Sequence, residues 1–100
     1  MKMVTAIVRT ICLEGIVKSL EDMGIRGMTI SEIKGIGEQA QLYNPYTIHE
    51  KIEIIAPDER VDEIANVILG HAHIGLPGDG LIAVSPIDWM IKIRTKEQLD

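Results

Sequence analysis

Phenylalanine is absent from this chain, and its aromatic inventory stops at one Trp and two Tyr. A core without aromatic rings must be filled by Ile, Leu, Val, Met and Ala, and a hydrophobic content of 46% supplies them. Cysteine occurs once, at Cys12, so no intrachain disulfide can form; such usage suits a reducing cytosol. No apolar run approaches the roughly 20 residues that span a bilayer. The opening Met-Lys-Met-Val-Thr reads as the start of a strand, with no signal-peptide pattern. The expectation is a cytoplasmic protein without membrane insertion. Positive charge is also scarce: ten Lys and Arg face fifteen Asp and Glu, for a net charge of −5. That argues against a general nucleic-acid or anionic-membrane binder. A local cationic pocket stays open, since Arg9, Lys34, Lys51, Lys92, Arg94 and Lys96 are free to converge. One hundred residues make one domain, 1–100, able to bury a core but small enough to gain from oligomerisation.

Hydrophobic patterning sets the order of elements. Met3–Arg9 is short, β-branched and apolar, and predicts a strand. Leu13, Ile16, Val17 and Leu20 recur at helical spacing, with Glu14 and Lys18 as an i, i+4 pair on the other face. Gly24 should end that helix, and Gly27–Lys34 predicts a second strand. Gly35–Thr47 lacks periodicity and reads as a long loop, functional or mobile, or a solvated linker. Lys51–Ala56 alternates as a third strand. Asp58 then offers N-cap chemistry, with Glu59 in the first helical turn. Val61, Ile64, Ala65 and Ile68 form a buried stripe, and Gly70 marks the expected stop. Leu81–Ser85 is a fourth strand, and Trp89–Arg94 a short edge strand before a charged tail.

Strand–helix–strand, loop, strand–helix–strand is a doubled βαβ unit: an α+β, ferredoxin-like βαββαβ domain with an extra short C-terminal strand. Two helices cover only one face of its sheet. Both strand parities are apolar, with Val4, Ala6 and Val8 against Met3 and Ile7, and Ile52 and Ile54 against Ile55. Soluble monomers avoid leaving such a face in water, so the expectation is an oligomer packed through open sheet faces.

Gly75-Leu-Pro-Gly-Asp-Gly80 carries the clearest chemical signal. Three glycines in six residues let successive N–H groups point at one spot, an arrangement that binds anions. The helix-then-strand order differs from a dinucleotide fingerprint, and no Gly-Lys-Ser/Thr ending is present. A plain glycine-rich turn is the competing reading.

Gly24-Ile-Arg-Gly-Met-Thr-Ile-Ser-Glu-Ile-Lys-Gly-Ile-Gly-Glu-Gln39 resembles the second strand and loop entry of PII signal-transduction proteins. Lys51-Ile-Glu-Ile-Ile55 resembles their third strand, Gly75–Gly80 their B-loop, and Ile93-Arg-Thr95 their C-terminal loop. The resemblance runs from Ala6 to Thr95. It implies a homotrimer with an adenine nucleotide in each intersubunit cleft. Carried over by position, Ile7, Thr29, Glu53 and Ile55 would surround the adenine. Gly35, Gly37 and Gln39 would lie at the base of a mobile T-loop beside the phosphates. Gly78, Asp79 and Gly80 would present backbone donors, with Gly75 in the same loop. Arg94 would add charge from the cleft edge, and Lys92 stands where the family carries the first Arg of an Arg-x-Arg pair. Glu38, Tyr43 and Tyr46 fall in the T-loop, which would meet a target protein, a transporter or metabolic enzyme.

The departures carry their own expectations. Ile74, Leu76 and Leu81 replace the family's B-loop Thr and two Lys, and Glu38 stands where many members carry Arg. Charge-assisted contacts are worth roughly 1.5–3 kcal/mol each, so ADP or AMP is favoured over ATP with Mg²⁺. The T-loop is shorter than in nitrogen-regulatory members, as in divergent PII-like proteins linked to inorganic carbon and responsive to bicarbonate. A nitrogen-regulatory protein is one alternative. A CutA-like metal-binding trimer is another, with His49, His71 and His73 as ligands, although His71 and His73 read first as ending a helix, where His favours the dipole. Catalysis is not expected: Ser19, Ser31 and Ser85 lie in no nucleophile motif, and alternation points Glu32 and Glu53 out of the core.

Overall fold

The computed structural model describes residues 1–36 and 46–100. Its elements are β1 (Lys2–Arg9), α1 (Leu13–Asp22), β2 (Thr29–Gly35), β3 (Thr47–Ala56), α2 (Val61–Ala72), β4 (Leu81–Pro86), β5 (Met90–Lys92) and β6 (Glu97–Leu99). The first four main strands form one sheet in the order β2-β3-β1-β4, antiparallel at every pairing. This is the ferredoxin-like α+β arrangement expected from the strand–helix order.

The core lies between the helices and one sheet face. Val4, Ala6 and Val8 alternate inward from β1, and Ile52 and Ile54 from β3. Against them pack Ile16 and Leu20 of α1 and Ile64 and Ile68 of α2, all four fully buried. The other face carries Met3, Ile7 and Ile55, with Ile55 42% exposed. Both parities are thus apolar, but only one is covered by helices. Gly24 ends α1 through its left-handed φ of 88°. Ile25 N–H returns to Leu20 O and Gly24 N–H to Glu21 O, while Ile25 buries beside Leu20, a Schellman closure.

Several local expectations fail for identifiable reasons. α2 does not stop at Gly70 but continues to Ala72, with His71 in its last turn and His73 at its cap. Burial of Ala72 in the core outweighs the 0.5–1 kcal/mol or so that a helical glycine costs. Asp58 caps nothing. Its carboxylate takes the N-terminal ammonium at 3.0 Å and Lys2 at 3.9 Å; the hydrogen bond from the ammonium above all holds its carboxyl below the usual range against desolvation, with Lys2 adding a lesser pull. A 3-10 turn over Asp58–Arg60 precedes α2 instead. Lys18 pairs with Asp22 at 3.9 Å, not Glu14.

β3 begins at Thr47, four residues before the expected start, and pairs with β2 as far as Gly35. Glu50 hid that extension: it is buried on the helix-side face, where alternation calls for an apolar residue. Glu32 and Glu53, expected out of the core, are exposed and partly exposed, though on opposite faces of the sheet, Glu32 across from Glu50. The single extra C-terminal strand is a two-stranded hairpin, β5 with β6, separate from the main sheet. The tail that read as merely charged supplies β6, closed by a turn in which Lys96 N–H bonds Lys92 O at 2.7 Å.

Candidate functional site

Two cavities collect most of the expected ligand residues. The first, of about 530 Å³, is lined by Thr29, Glu53, Ile55 and Lys92 together with Met1, Met3, Gly27, Met28 and Met90. Register explains the convergence. Thr29 lies across from Glu53, and Met3 across from Ile55, so all four share the open sheet face. β5 then contributes Met90 and Lys92 from outside the sheet. Lys51 approaches Glu53 at 3.7 Å.

The second, of about 490 Å³, runs between α2 and β4 and contains Ile7, Asp79 and Gly80 beside Ile68, Leu69, Ala72 and His73. Here the glycine loop has a definite internal construction. Asp79 folds its carboxylate back to accept N–H bonds from Ile74 at 2.9 Å and Gly75 at 2.8 Å. Arg9 Nη2 donates to Ala72 O at 3.1 Å and stands 3.5 Å from Asp79 Oδ1. His73 Nδ1 lies 3.7 Å from Asp79 Oδ2. His49 Nε2 donates to Gly78 O at 3.0 Å. The end of β1, the end of α2 and the loop are thereby tied together.

This geometry corrects the expected roles of two residues. Asp79 was expected to present its N–H to a ligand, but that group bonds Leu76 O at 3.3 Å. The Gly75 N–H is likewise spent on the Asp79 carboxylate. Gly80, at φ 100°, presses so close to β1 that an added Cβ would stand 1.7 Å from Ile7 O. Its first task is to let the loop meet the sheet.

The Asp79 carboxyl is held below the usual carboxylate range, first by the Ile74 N–H, with Gly75, Arg9 and Leu76 adding to it against a desolvation effect. A depressed folded-state pKa contributes stability above the unfolded value and loses it as pH falls through the folded one. The loop should therefore hold its form through neutral and mildly acidic pH and loosen below the ordinary carboxylate value of 3.8. Amide exchange at Ile74 and Gly75 across pH 3–7 checks this; Asp79→Asn should remove the acid step.

Gly35 ends β2, with Thr47 Oγ1 donating to its carbonyl at 3.3 Å. Tyr46 is exposed just before β3. Gly37, Glu38, Gln39 and Tyr43 lie outside the described residues. Arg94 sits exposed in the turn between β5 and β6 and lines neither cavity. The three histidines proposed as metal ligands go separate ways: His71 Nε2 lies 2.8 Å from Ser19 Oγ, while His49 and His73 serve the loop. Among the described residues no group of three or more His, Cys, Asp or Glu is placed to hold a metal ion. Arg9 and His49 escaped notice as loop clamps because their partners are 63 and 29 residues away in sequence, beyond any local pattern.

The family model described as nitrogen regulatory protein P-II matches residues 1–97. The chain belongs to the P-II family. It is 36% identical to the nitrogen regulatory protein GlnK of Escherichia coli strain K12, covering 97% of this chain and 95% of that protein. It is 38% identical to the nitrogen regulatory protein P-II of Nostoc punctiforme, over 98% and 96% of the two chains. The GlnK alignment spans 106 positions while taking in 97% of these 100 residues, so within the aligned stretch this chain carries fewer residues. Among the described residues no helix is long and apolar enough to cross a membrane.

Proposed function

We propose that this P-II family member is a non-catalytic cytoplasmic regulator, one unit over residues 1–100, that binds ADP or AMP in the intersubunit clefts of a homotrimer. The observation that carries the reading is the 530 Å³ cavity gathering Thr29, Glu53, Ile55 and Lys92, a size in the ordinary range for small-ligand sites of about 300–1,000 Å³. Apolar Ile55 and the methionines suit a flat base, while Thr29, Glu53 and Lys92 supply polar groups around it. Thr29 and the glycine loop sit toward opposite edges of the sheet, about 14 Å apart at three strand spacings. A cavity on the open face and one beside β4 are suited to meeting across a subunit boundary, with Gly78 and Gly80 facing phosphates and Arg94 reaching in from its exposed turn. The half-exposed open face, with Ile55 and Leu81, supports burial against further copies.

Fewer phosphates suit this site. The B-loop lacks lysines, its Ile74 and Gly75 donors are already taken by Asp79, and that carboxylate would repel a third phosphate. The segment between β2 and β3, including Glu38, Tyr43 and Tyr46, would pass the signal to a target transporter or metabolic enzyme. Fewer residues within the stretch aligned to the compared nitrogen regulators support a divergent role, with bicarbonate as a candidate second effector; the relatives' names support nitrogen status instead.

Calorimetry with AMP, ADP and ATP, with and without Mg²⁺, alongside light scattering, tests the reading. A trimer mass is expected, with ADP or AMP bound at least as tightly as ATP. Arg94→Ala should weaken ADP about tenfold or more, as loss of a charge-assisted contact does, and AMP less. Strong Mg²⁺-dependent preference for ATP overturns the ranking. Absence of all adenine-nucleotide binding overturns the reading itself.

A further inference from the structure

The chain has five methionines, and four of them, Met1, Met3, Met28 and Met90, line the same cavity. They arrive from the N-terminus, β1, the approach to β2, and β5, so their meeting is a product of the fold. All four are partly exposed in the single chain. Met28 also packs on the core, as does the fifth, Met23, which caps α1 and lies outside this lining. No aromatic ring lines the cavity. A planar ligand there would rest on polarizable thioethers, whose sulfur makes favourable contacts with ring systems.

We propose that this cavity is a modification site for peroxide-class oxidants, with Met3, Met28 and Met90 as the groups whose oxidation closes it to ligand. In each step a thioether sulfur lone pair attacks one peroxide oxygen. The S–O bond forms, the O–O bond breaks and water leaves; sulfur loses two electrons and the peroxide gains them. The sulfoxide is polar and chiral, and it needs a hydrogen-bond donor. Of the other residues lining the cavity, Ile55 and Gly27 offer no side-chain donor, and Glu53 presents an acceptor that would repel the S–O dipole. Thr29 offers a hydroxyl, and the Met1 ammonium is already held by Asp58 at 3.0 Å. Lys92 is the charged side-chain donor of the lining, and its diversion to a sulfoxide would remove it from a bound anion. Each change disfavours a flat, anionic ligand. Methionine sulfoxide reductases reverse the reaction, so the site is resettable.

The ligand half of this inference rests on the nucleotide reading above, and the test separates the two. The protein is treated with hydrogen peroxide, then with dithiothreitol, which returns reversibly oxidised Cys12 to the thiol but leaves sulfoxides intact. Oxidised positions are mapped by peptide mass spectrometry with and without ADP present. ADP affinity is measured by calorimetry before oxidation, after it, and after reductase treatment. Expected are sulfoxides at Met3 and Met90 ahead of Met23, ADP protection confined to the cavity positions, and at least a tenfold loss of ADP affinity restored by the reductases. A variant combining Met3→Leu, Met28→Leu and Met90→Leu, a near volume-conserving set, should change its own ADP affinity less than twofold on peroxide treatment. Reduced protein that fails to bind ADP overturns the nucleotide reading and this inference with it. Reduced protein that binds ADP, but keeps its affinity with the cavity methionines oxidised, overturns this inference alone. A triple variant that remains as sensitive as the parent also overturns it.

Discussion

Gly80→Ala is expected to destabilise the protein by about 3 kcal/mol or more, the sum of a strained backbone at roughly 1–3 kcal/mol and overpacking at roughly 1–3 kcal/mol. The residue has φ 100°, and an added Cβ would stand 1.7 Å from Ile7 O and 2.8 Å from Ile7 C. Those atoms are backbone of β1, inside a strand paired on both sides, so they cannot turn away as a side chain would. Either β4 must pull off β1 or the loop must refold. Gly75→Ala is the internal comparison. It shares a positive φ, 81°, but its Cβ would meet only the flexible His73 ring at 3.9 Å. Strain alone then applies, about 1–2 kcal/mol. Urea denaturation of the two variants checks the contrast. Equal losses would mean that the approach of the loop to Ile7 is not a constraint. A bulky residue at Gly80 is for the same reason a poor probe of phosphate binding, since it removes the loop before any ligand is tested.

Ile68→Ala should cost about 3–5 kcal/mol, toward the upper part of the range for truncating a buried Ile to Ala. Ile68 is fully buried in α2, and it also borders the 490 Å³ groove against β4. Deleting three carbons there enlarges a space the structure already leaves open, so collapse around the hole is limited. The same change loosens the last turn of α2, whose Ala72 carbonyl anchors Arg9 and through it the glycine loop. Faster amide exchange at Ile74 and Gly75 should accompany the stability loss. Leu69→Ala, one residue on and 51% exposed, should cost about 1 kcal/mol or less, because most of that side chain is already in water. Denaturation curves for both variants, read with exchange at the loop, decide whether α2 supports the loop or merely neighbours it.

These expectations separate what local pattern could announce from what it could not. Alternation in Met3–Arg9 and the 3.6-residue stripe Val61, Ile64, Ala65, Ile68 were legible because each element repeats its own burial every two or three to four residues. Gly24 was legible as a helix end because a left-handed C-cap is a local demand. Gly70 misled for the complementary reason. Whether a glycine stops a helix depends on what the following turn buries, and the docking of Ala72 onto the core is not a local fact. Glu50 hid the start of β3 in the same way, since a buried carboxylate on the covered face breaks the pattern by which strands are recognised.

By itself the sequence determined the order of strands and helices, the two-faced apolar sheet, the glycine loop, and the run of motifs that resembles the PII family. All of these rest on residues within a few positions of one another or on a linear order of segments. Only the tertiary structure decided how the candidate site is built. It decided that the Asp79 carboxylate occupies donors of its own loop, that Arg9 and His49 clamp that loop from β1 and β3, and that four methionines meet Thr29, Glu53 and Lys92 in one cavity. The Asp79 bonds are short in sequence, but the clamps and the cavity join residues tens of positions apart. Strand register and helix docking create them only once the chain has folded.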